Sequence, residues 1–397
     1  MKKNLSLITA LLLTAPLFAD NLSDAFSNGK IKGEIKSVYS NSNFLGKSTS
    51  DDIATIGGSL GYKTADFYGF SAGATFQASH VISDDNNNNV FISDLDASGA
   101  VLSEAYLEYK LSNTSIKAGR QYIYTPLVST AIDGKSSESL LKDSFEAYLL
   151  TNNDIPNTTI VAGYVDKYQA KTSNDSDTAD FEEFEDGAYT LYIKNNSIEN
   201  LELQAQYLNI DAINSNQDIS NLYFQADYKI GLHTISAQYL SSKDESKGSD
   251  FEDGELYGLK ASGALGIGKL GYIVAFNSST KDGDVNLGAG AGTSDTAFTA
   301  MPVNGGGVPT RANTDTLIGG IIVPILDVTT VGYAGYSWSD GGLGDVSAVG
   351  AMAIYPFYKN FLLKVNYEHV EIENTIVPAG IEDGNTDVTR VYLSYNF

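Results

Sequence analysis

The segments LELQAQY (residues 201–207) and LYFQADYK (residues 222–229) alternate apolar and polar side chains at strict period two. Successive side chains of a β-strand point to opposite faces, so both segments are predicted to be strands with one apolar face. Such a strand fits the wall of a membrane barrel, which has lipid outside and water inside. It also fits a soluble β-sandwich, so one strand alone does not decide between the two folds.

The spacing of such segments along the whole chain favours the barrel. Short connections such as Ile230-Gly231 alternate with long ones such as Gln169–Asp186 and Ser279–Asn313. Outer-membrane barrels have short turns at the periplasmic end and long loops at the external end. The sequence therefore predicts an all-β fold, a transmembrane antiparallel β-barrel of about 18 strands with short periplasmic turns and long external loops. The predicted strand centres lie near residues 34, 58, 75, 107, 118, 147, 162, 191, 205, 223, 237, 260, 273, 319, 332, 350, 366 and 392.

The first residues have the pattern of a secretory signal peptide. Lys2 and Lys3 precede an apolar run, Leu5–Phe18, that is too short for a stable membrane span, and the small residue Ala19 follows. We therefore predict a signal peptide over residues 1–19 and a single transmembrane barrel over residues 20–397.

Composition and charge exclude several classes of site. The chain has no cysteine, which rules out disulfides and thiolate metal sites, so a closed sheet is the expected source of stability. The net charge of −24 argues against a nucleic-acid partner, because phosphate binding needs a surplus of lysine and arginine.

The last strand gives an independent signal. Val391, Leu393, Tyr395 and Phe397 alternate with polar residues, and the sequence ends on the aromatic ring. This pattern resembles the terminal strand that bacterial barrel-insertion machinery recognises, so Phe397 is predicted to contact that machinery. The expected location is the bacterial outer membrane, in contact with lipid and lipopolysaccharide.

Two segments carry a family resemblance. They are TSIKAGRQYIYTPL (Thr114–Leu127) and SFEAYLLTNNDIPNTTIVAGYV (Ser144–Val165). Together they resemble the OprD-type outer-membrane porin family, and most closely the major porins of campylobacter-like bacteria. The resemblance is clear over roughly residues 102–166. It implies an 18-stranded barrel, commonly a homotrimer, that passes small nutrients and ions.

The resemblance also implies that the loop at residues 125–143 folds into the lumen and constricts it. The alternative is a solvated external loop of mixed charge. Family members often carry Arg and Pro after the loop Asp, whereas this chain has DGKSS at residues 133–137, so detailed specificity is not carried over. The candidate constriction residues are Asp133, Lys135, Glu138, Lys142 and Asp143, and the candidate pore-wall residues are Lys117, Arg120, Lys364 and Arg390.

Arg120 is the ambiguous member of this set. Strict alternation from Ile116 and Ala118 points its side chain outward, whereas a bulge at Gly119 would turn it inward. We predict a position in the lumen or at a subunit contact.

Other constellations give weaker predictions. Asp175, Asp177 and Asp180 are calcium candidates, although their spacing matches no dedicated calcium loop and a solvated acidic face explains them as well. The glycine-rich segments 288–292 and 304–307 are predicted to be flexible external loop. Interfacial girdle positions are predicted at Tyr62, Tyr68, Tyr122, Tyr124, Tyr164 and Tyr355.

The function predicted is passive diffusion of small hydrophilic solutes and ions, without cofactor or catalysis. The three histidines, His80, His233 and His369, lie on separate predicted strands and have no matching nucleophile or paired acid. An acidic constriction would favour cations. The alternatives are a surface adhesin or structural barrel with a plugged lumen, and a substrate-specific uptake channel for small organic acids or amino acids.

Overall fold

In a computed structural model, the described residues are 21–43, 51–85, 95–173, 177–211, 218–244, 252–280, 282–302, 308–339, 344–374 and 383–397. Eighteen strands within these ranges form one antiparallel sheet, and two further short strands form a separate hairpin. The predicted signal peptide, residues 1–19, lies outside the described residues.

The described chain begins with helix α1 (Leu22–Ser27), and nearly all of the rest is strand and connection. A single turn of 3-10 helix spans Ala291–Asp295, and none of the helices described is long and apolar enough to cross a membrane. The strands are β1 (Lys30–Asn43), β2 (Asp51–Lys63), β3 (Phe70–Asp85), β4 (Gly99–Leu111), β5 (Thr114–Gln121), β6 (Tyr124–Thr125), β7 (Val128–Ser129), β8 (Ser144–Asn152), β9 (Thr158–Gln169), β10 (Phe181–Ile198), β11 (Leu201–Asp211), β12 (Asp218–Ile230), β13 (His233–Asp244), β14 (Gly254–Ala264), β15 (Gly271–Ser279), β16 (Thr314–Ile325), β17 (Val328–Ser339), β18 (Asp345–Tyr358), β19 (Phe361–Glu373) and β20 (Gly384–Asn396).

The sheet closes on itself. Each wall strand pairs with the next one along the chain, and β1 pairs with β20 from Glu34 opposite Asn396 to Asn43 opposite Asp387. Gly33 and Phe397 extend this seam by exchanging two backbone hydrogen bonds. Closure leaves no strand edge unpaired, which a sheet surrounded by lipid requires. Each of the eighteen predicted strand centres lies within one of the wall strands, so the predicted barrel is confirmed.

The two faces of the wall have the polarity expected of a membrane barrel. Phe224 and Leu259 are exposed on the outer face, whereas Gln206 and Asn277 are buried on the inner face. Apolar side chains outside and polar side chains inside reverse the pattern of a soluble protein and match a lipid environment.

Aromatic rings form rows on the outer face. Tyr164 lies between Tyr148 and Tyr189, with ring centroids 6.4 and 5.1 Å apart. At the end of the wall where β19 begins and β20 ends, the Tyr395 ring lies 4.6 Å from Phe361 and 5.8 Å from Phe397. Such rows are typical of interfacial girdles, where an apolar ring and a polar hydroxyl meet the membrane surface.

Candidate functional site: two loops inside the barrel

The chain turns into the barrel after β5. The strands β6 and β7 form a small hairpin, and Leu127 and Val128 at its turn are fully buried. They belong to an apolar cluster that includes Phe145 and Leu240 of the wall. Burial of these side chains stabilises the loop against the inner wall, so residues 125–143 lie in the lumen and not in external solvent.

Two tyrosines predicted in the outer girdle lie on this inward segment instead. Tyr122 Oη is 2.8 Å from Ser103 Oγ, and Tyr124 belongs to the hairpin strand β6. That prediction was wrong because β5 ends at Gln121, and the chain beyond it leaves the wall.

A chain of ion pairs joins this loop to the wall. Asp133 accepts from Lys142 Nζ at 2.7 Å and from Lys36 Nζ of β1 at 2.9 Å. Glu138 lies between Lys36, at 3.5 Å, and Lys364 of β19, which donates to its other oxygen. Burial would raise the pKa of the Asp133 carboxyl, but the ammonium groups of Lys36 and Lys142 outweigh it and hold the pKa below its usual range. Asp133 therefore keeps its charge.

Only one of the three predicted constriction acids faces open space. The Asp133 side chain is 46% exposed, whereas that of Glu138 is 8% exposed and its carboxylate also accepts from Gly134 N at 2.6 Å. Glu138, a candidate constriction acid, is enclosed by Lys36 and Lys364 and does not present its charge to open space.

Asp143 links the two inner loops through hydrogen bonds to backbone N–H groups. Its carboxylate is fully buried and accepts from the backbone N–H groups of Ala131 and Ala291, each at 2.7 Å, and from Tyr168 Oη at 3.3 Å. Burial raises the pKa of Asp143, and the two N–H groups act in the opposite direction. The prediction of a pore-facing Asp143 was wrong, because its carboxylate is needed to satisfy buried donors.

A second loop also folds inward, contrary to the prediction of a flexible external segment at 288–292. Ala289 exchanges two backbone hydrogen bonds with the first loop, from Ser129 N to Ala289 O and from Ala289 N to Leu127 O, each 3.0 Å long. Residues 304–307 of the other glycine-rich segment lie outside the described residues.

The alternating glycines make this contact possible. A Cβ atom added at Gly288 would lie 2.1 Å from Leu127 O. One added at Gly290 would lie 2.3 Å from Ser129 O, and one added at Gly292 would lie 2.2 Å from Thr130 O. Sequence analysis missed this contact, although glycine at every second position was a usable signal. That period is the period of a strand whose one face approaches another backbone closely.

The candidate wall residues are divided between the two faces. Lys117 faces inward, with its Nζ 3.6 Å from Glu104 and 3.7 Å from the centre of the Tyr106 ring. Lys364 binds the loop through Glu138, and Arg390 is buried on the inner face of β20.

Arg120 does not face the lumen, so of its two predicted positions the lumen was wrong and the subunit contact stays a prediction. Its guanidinium lies 4.2 Å from the Phe181 ring and its Nε lies 3.7 Å from Glu146, on the side of the wall where Ile116 is exposed. Gly119 has φ +118°, yet β5 keeps its register with both neighbouring strands, so no bulge reverses the alternation.

The calcium candidates do not form a site within the described residues. Asp175 lies outside them, and Asp177 accepts from Thr178 N at 2.7 Å. Asp180 belongs to the same segment, and across the described ranges no three His, Cys, Asp or Glu side chains are grouped to hold a metal ion.

A cavity of about 420 Å³ remains between the loops and the wall. Lys135 of the first loop, Lys260 of β14 and Asp295 of the second loop are its charged lining residues, and Lys260 Nζ lies 4.0 Å from the centre of the Phe298 ring. Much of the remaining lining is apolar, including Tyr223, Phe298, Met301, Tyr333 and Met352. Such a lining can contact an apolar group while the lysines attract a negative charge.

The fold is shared with solved crystal structures. OccAB1 of Acinetobacter baumannii has a TM-score of 0.77 at 12% identity, over 94% of this chain and 98% of that one. This chain has the same fold. OpdO of Pseudomonas aeruginosa gives a TM-score of 0.74 at 13% identity over 94% and 98% of the two chains, and OccK8 (OprE) gives 0.68 at 15% over 94% and 99%. No protein-family model and no curated protein matches the sequence.

Proposed function

We propose that this chain is a passive outer-membrane channel for small hydrophilic solutes and ions. The observation that carries the proposal is a closed barrel with an apolar outer face, whose interior is narrowed by two loops that leave a charged cavity. The similar structures are OprD-family outer-membrane channels of Pseudomonas and Acinetobacter, which favours the same class of function. Selectivity would come from the width of the opening and the charges beside it, without a catalytic step.

The proposal includes the predicted processing and surroundings. Residues 1–19 would be removed as a signal peptide, and the barrel, residues 20–397, would lie in the outer membrane among lipid and lipopolysaccharide. Phe397 would be recognised by the barrel-insertion machinery. Assembly as a homotrimer, the relation to campylobacter-like porins and the preference for cations stay predictions.

Single-channel recording of the refolded mature barrel in a planar bilayer tests this proposal. Discrete and persistent open steps are expected, and the reversal potential in a salt gradient gives the sign of the ion preference. A folded barrel that conducts no current would contradict the channel and favour the adhesin with a plugged lumen.

One observation favours a second candidate, uptake of small organic acids or amino acids. Lys135 and Lys260 line the same cavity, and most of its other lining residues are apolar. A carboxylate can pair with an ammonium group while the rest of a small acid contacts the apolar lining.

Block of the ion current by a small carboxylate tests this candidate. Acetate is expected to reduce the current with a saturable dependence on concentration, while neutral acetamide has little effect. Each of Lys135→Ala and Lys260→Ala should weaken the block about fivefold, since a partly exposed ion pair contributes up to about 1 kcal/mol. Equal block by acetate and acetamide would contradict a charge-selective site.

A further inference from the structure

The tip of the first loop, residues 133–137, is a tight turn that reaches the cavity. Lys135 N donates to Ile132 O and Glu138 N donates to Lys135 O, each at 3.2 Å. Gly134 has φ +81° and no atom would lie within 4 Å of a Cβ there. Gly134 and Lys135 are exposed, so the packing of these two residues alone does not fix where the lysine points.

Asp295 of the second loop holds one side of this turn. Its Oδ1 accepts from Ser136 N at 2.9 Å and from Ser136 Oγ at 2.6 Å. Its Oδ2 accepts from Ser137 Oγ and from Ser137 N at 3.4 Å. One carboxylate thus receives four donors from two consecutive residues, an arrangement of charge-assisted bonds that restrains both their backbone and their side chains.

The other side of the turn is held by the wall. Asp133 is paired with Lys36 of β1 and with Lys142, as described above. Lys135 therefore lies between two anchored points, one on the wall and one on the second loop. Loss of either anchor would leave Lys135 held on one side only, beside the cavity that Lys260 also lines.

We propose that Asp295 is a positioning residue that fixes Lys135 in the cavity and thereby sets the ion selectivity of the channel. This inference rests on the proposed channel function. Without the Asp295 carboxylate, the Ser136 and Ser137 donors lose their shared acceptor, and the turn can move about Gly134. Lys135 would then spend less time beside Lys260. Asp295 lines the same cavity, so loss of its own negative charge acts in the opposite direction on the anion preference, and only the coupling to Lys135 isolates the positioning effect.

A double-mutant cycle between Lys135 and Asp295 tests the coupling. In the native background, Lys135→Ala is expected to lower the anion-to-cation permeability ratio by about two- to fivefold, since one partly exposed charge is removed from the cavity. In the Asp295→Ala background, Lys135→Ala should shift the logarithm of the permeability ratio by less than half as much as it does in the native background. Equal shifts in both backgrounds would overturn the proposal, because independent residues act additively.

Two further variants separate position from charge. Asp295→Asn removes the charge but keeps one acceptor, so it should lie between the native protein and Asp295→Ala in its coupling to Lys135. A greater loss of coupling in the Asn variant than in the Ala variant would contradict positioning, because Asn keeps an acceptor that Ala lacks. Asp282→Ala removes an acid from the same loop and is expected to leave the effect of Lys135→Ala unchanged.

Hydrogen exchange of the folded barrel tests, independently of conduction, whether Asp295 restrains Ser136 and Ser137; these contacts are called the clamp. Asp295→Ala should speed exchange in the peptide that contains Ser136 and Ser137 on the order of tenfold or more, because hydrogen bonds to a charged acceptor are lost. Asp282→Ala should leave it unchanged. Unaltered exchange in Asp295→Ala would overturn the clamp, whereas faster exchange in a barrel without current would contradict only the channel function.

Discussion

Replacement of Glu138 by alanine is expected to release the first loop from the wall and to give a wider, more anion-preferring channel. The Glu138 carboxylate lies between Lys36 and Lys364, whose side chains are 3% and 4% exposed. Lys36 would keep Asp133 and Glu34 as partners, and Lys364 would keep its contact with the Tyr392 ring, whose centre lies 4.0 Å away. Removal of one partner from a buried ion pair costs about 3–5 kcal/mol.

The barrel can avoid this cost by letting the loop move. The wall has its own complete hydrogen-bond ladder and does not depend on the loop for closure. Pore water would then reach Lys364 and Lys36, with Arg390 close enough to Lys364 to add to the positive potential. One negative charge is lost and two ammonium groups become hydrated, so the preference must shift toward anions.

Single-channel conductance and reversal potential measure both effects of Glu138→Ala. The matched control is Glu202→Ala, which removes an inner-wall acid 3.6 Å from Lys194 in a pair that does not involve the loop. That control should leave the conductance within a small margin of the native value. If Glu138→Ala has native conductance and native selectivity, Glu138 does not hold the loop.

The wall could be predicted from sequence because its rule is local. Each strand repeats the same alternation, as at residues 201–207, and each short turn lies next to the strands that it joins. Closure needs only the pairing of the first and last strands, which an even number of strands with alternating short and long connections already indicates. The eighteen predicted centres therefore matched the observed strands.

The inside of the barrel could not be predicted in the same way, because its contacts join distant parts of the chain. Asp143 accepts from Ala291 N, 148 positions away, and Ser136 donates to a carboxylate 159 positions away. Sequence analysis finds an acid in a loop, but a buried acid and a pore-facing acid have the same local pattern. Burial and partners decide which one it is.

Arg120 shows a different limit. Sequence analysis left two orientations open, because unbroken alternation from Ile116 points the side chain outward and a bulge at Gly119 would turn it inward. The unshifted register of β5 decides for the outward orientation. The glycine has another role there, since a Cβ would lie 2.3 Å from Ala105 O at φ +118°. A glycine within a strand can therefore mark close backbone approach without any change of register.

Replacement of Gly290 by alanine is expected to separate the two inner loops. The added Cβ would lie 2.3 Å from Ser129 O and 2.6 Å from Phe145 Cζ, at φ +96°. A backbone at φ +96° and ψ +153° is almost exclusive to glycine and costs about 1–3 kcal/mol for a residue with a side chain. Relief of the contact with a backbone carbonyl requires the loops to part, and each lost backbone hydrogen bond costs about 1 kcal/mol more.

An engineered disulfide measures this separation directly. Val128 and Ala289 are partners in a parallel bridge between the loops, and partners of this kind lie about 5 Å apart, within disulfide range. Because the chain has no cysteine, the pair Val128→Cys and Ala289→Cys gives an unambiguous cross-link. We expect rapid oxidation of this pair in the native background and much slower oxidation when Gly290→Ala is added.

Gly231→Ala is the matched control for backbone strain. Gly231 also has a positive φ, +59°, but no atom would lie within 4 Å of a Cβ there, so the substitution adds strain without a collision. It should leave the rate of cross-linking unchanged. If Gly290→Ala cross-links as fast as the native background, the loops tolerate a side chain at this contact, and the alternating glycines do not determine how the second loop docks against the first.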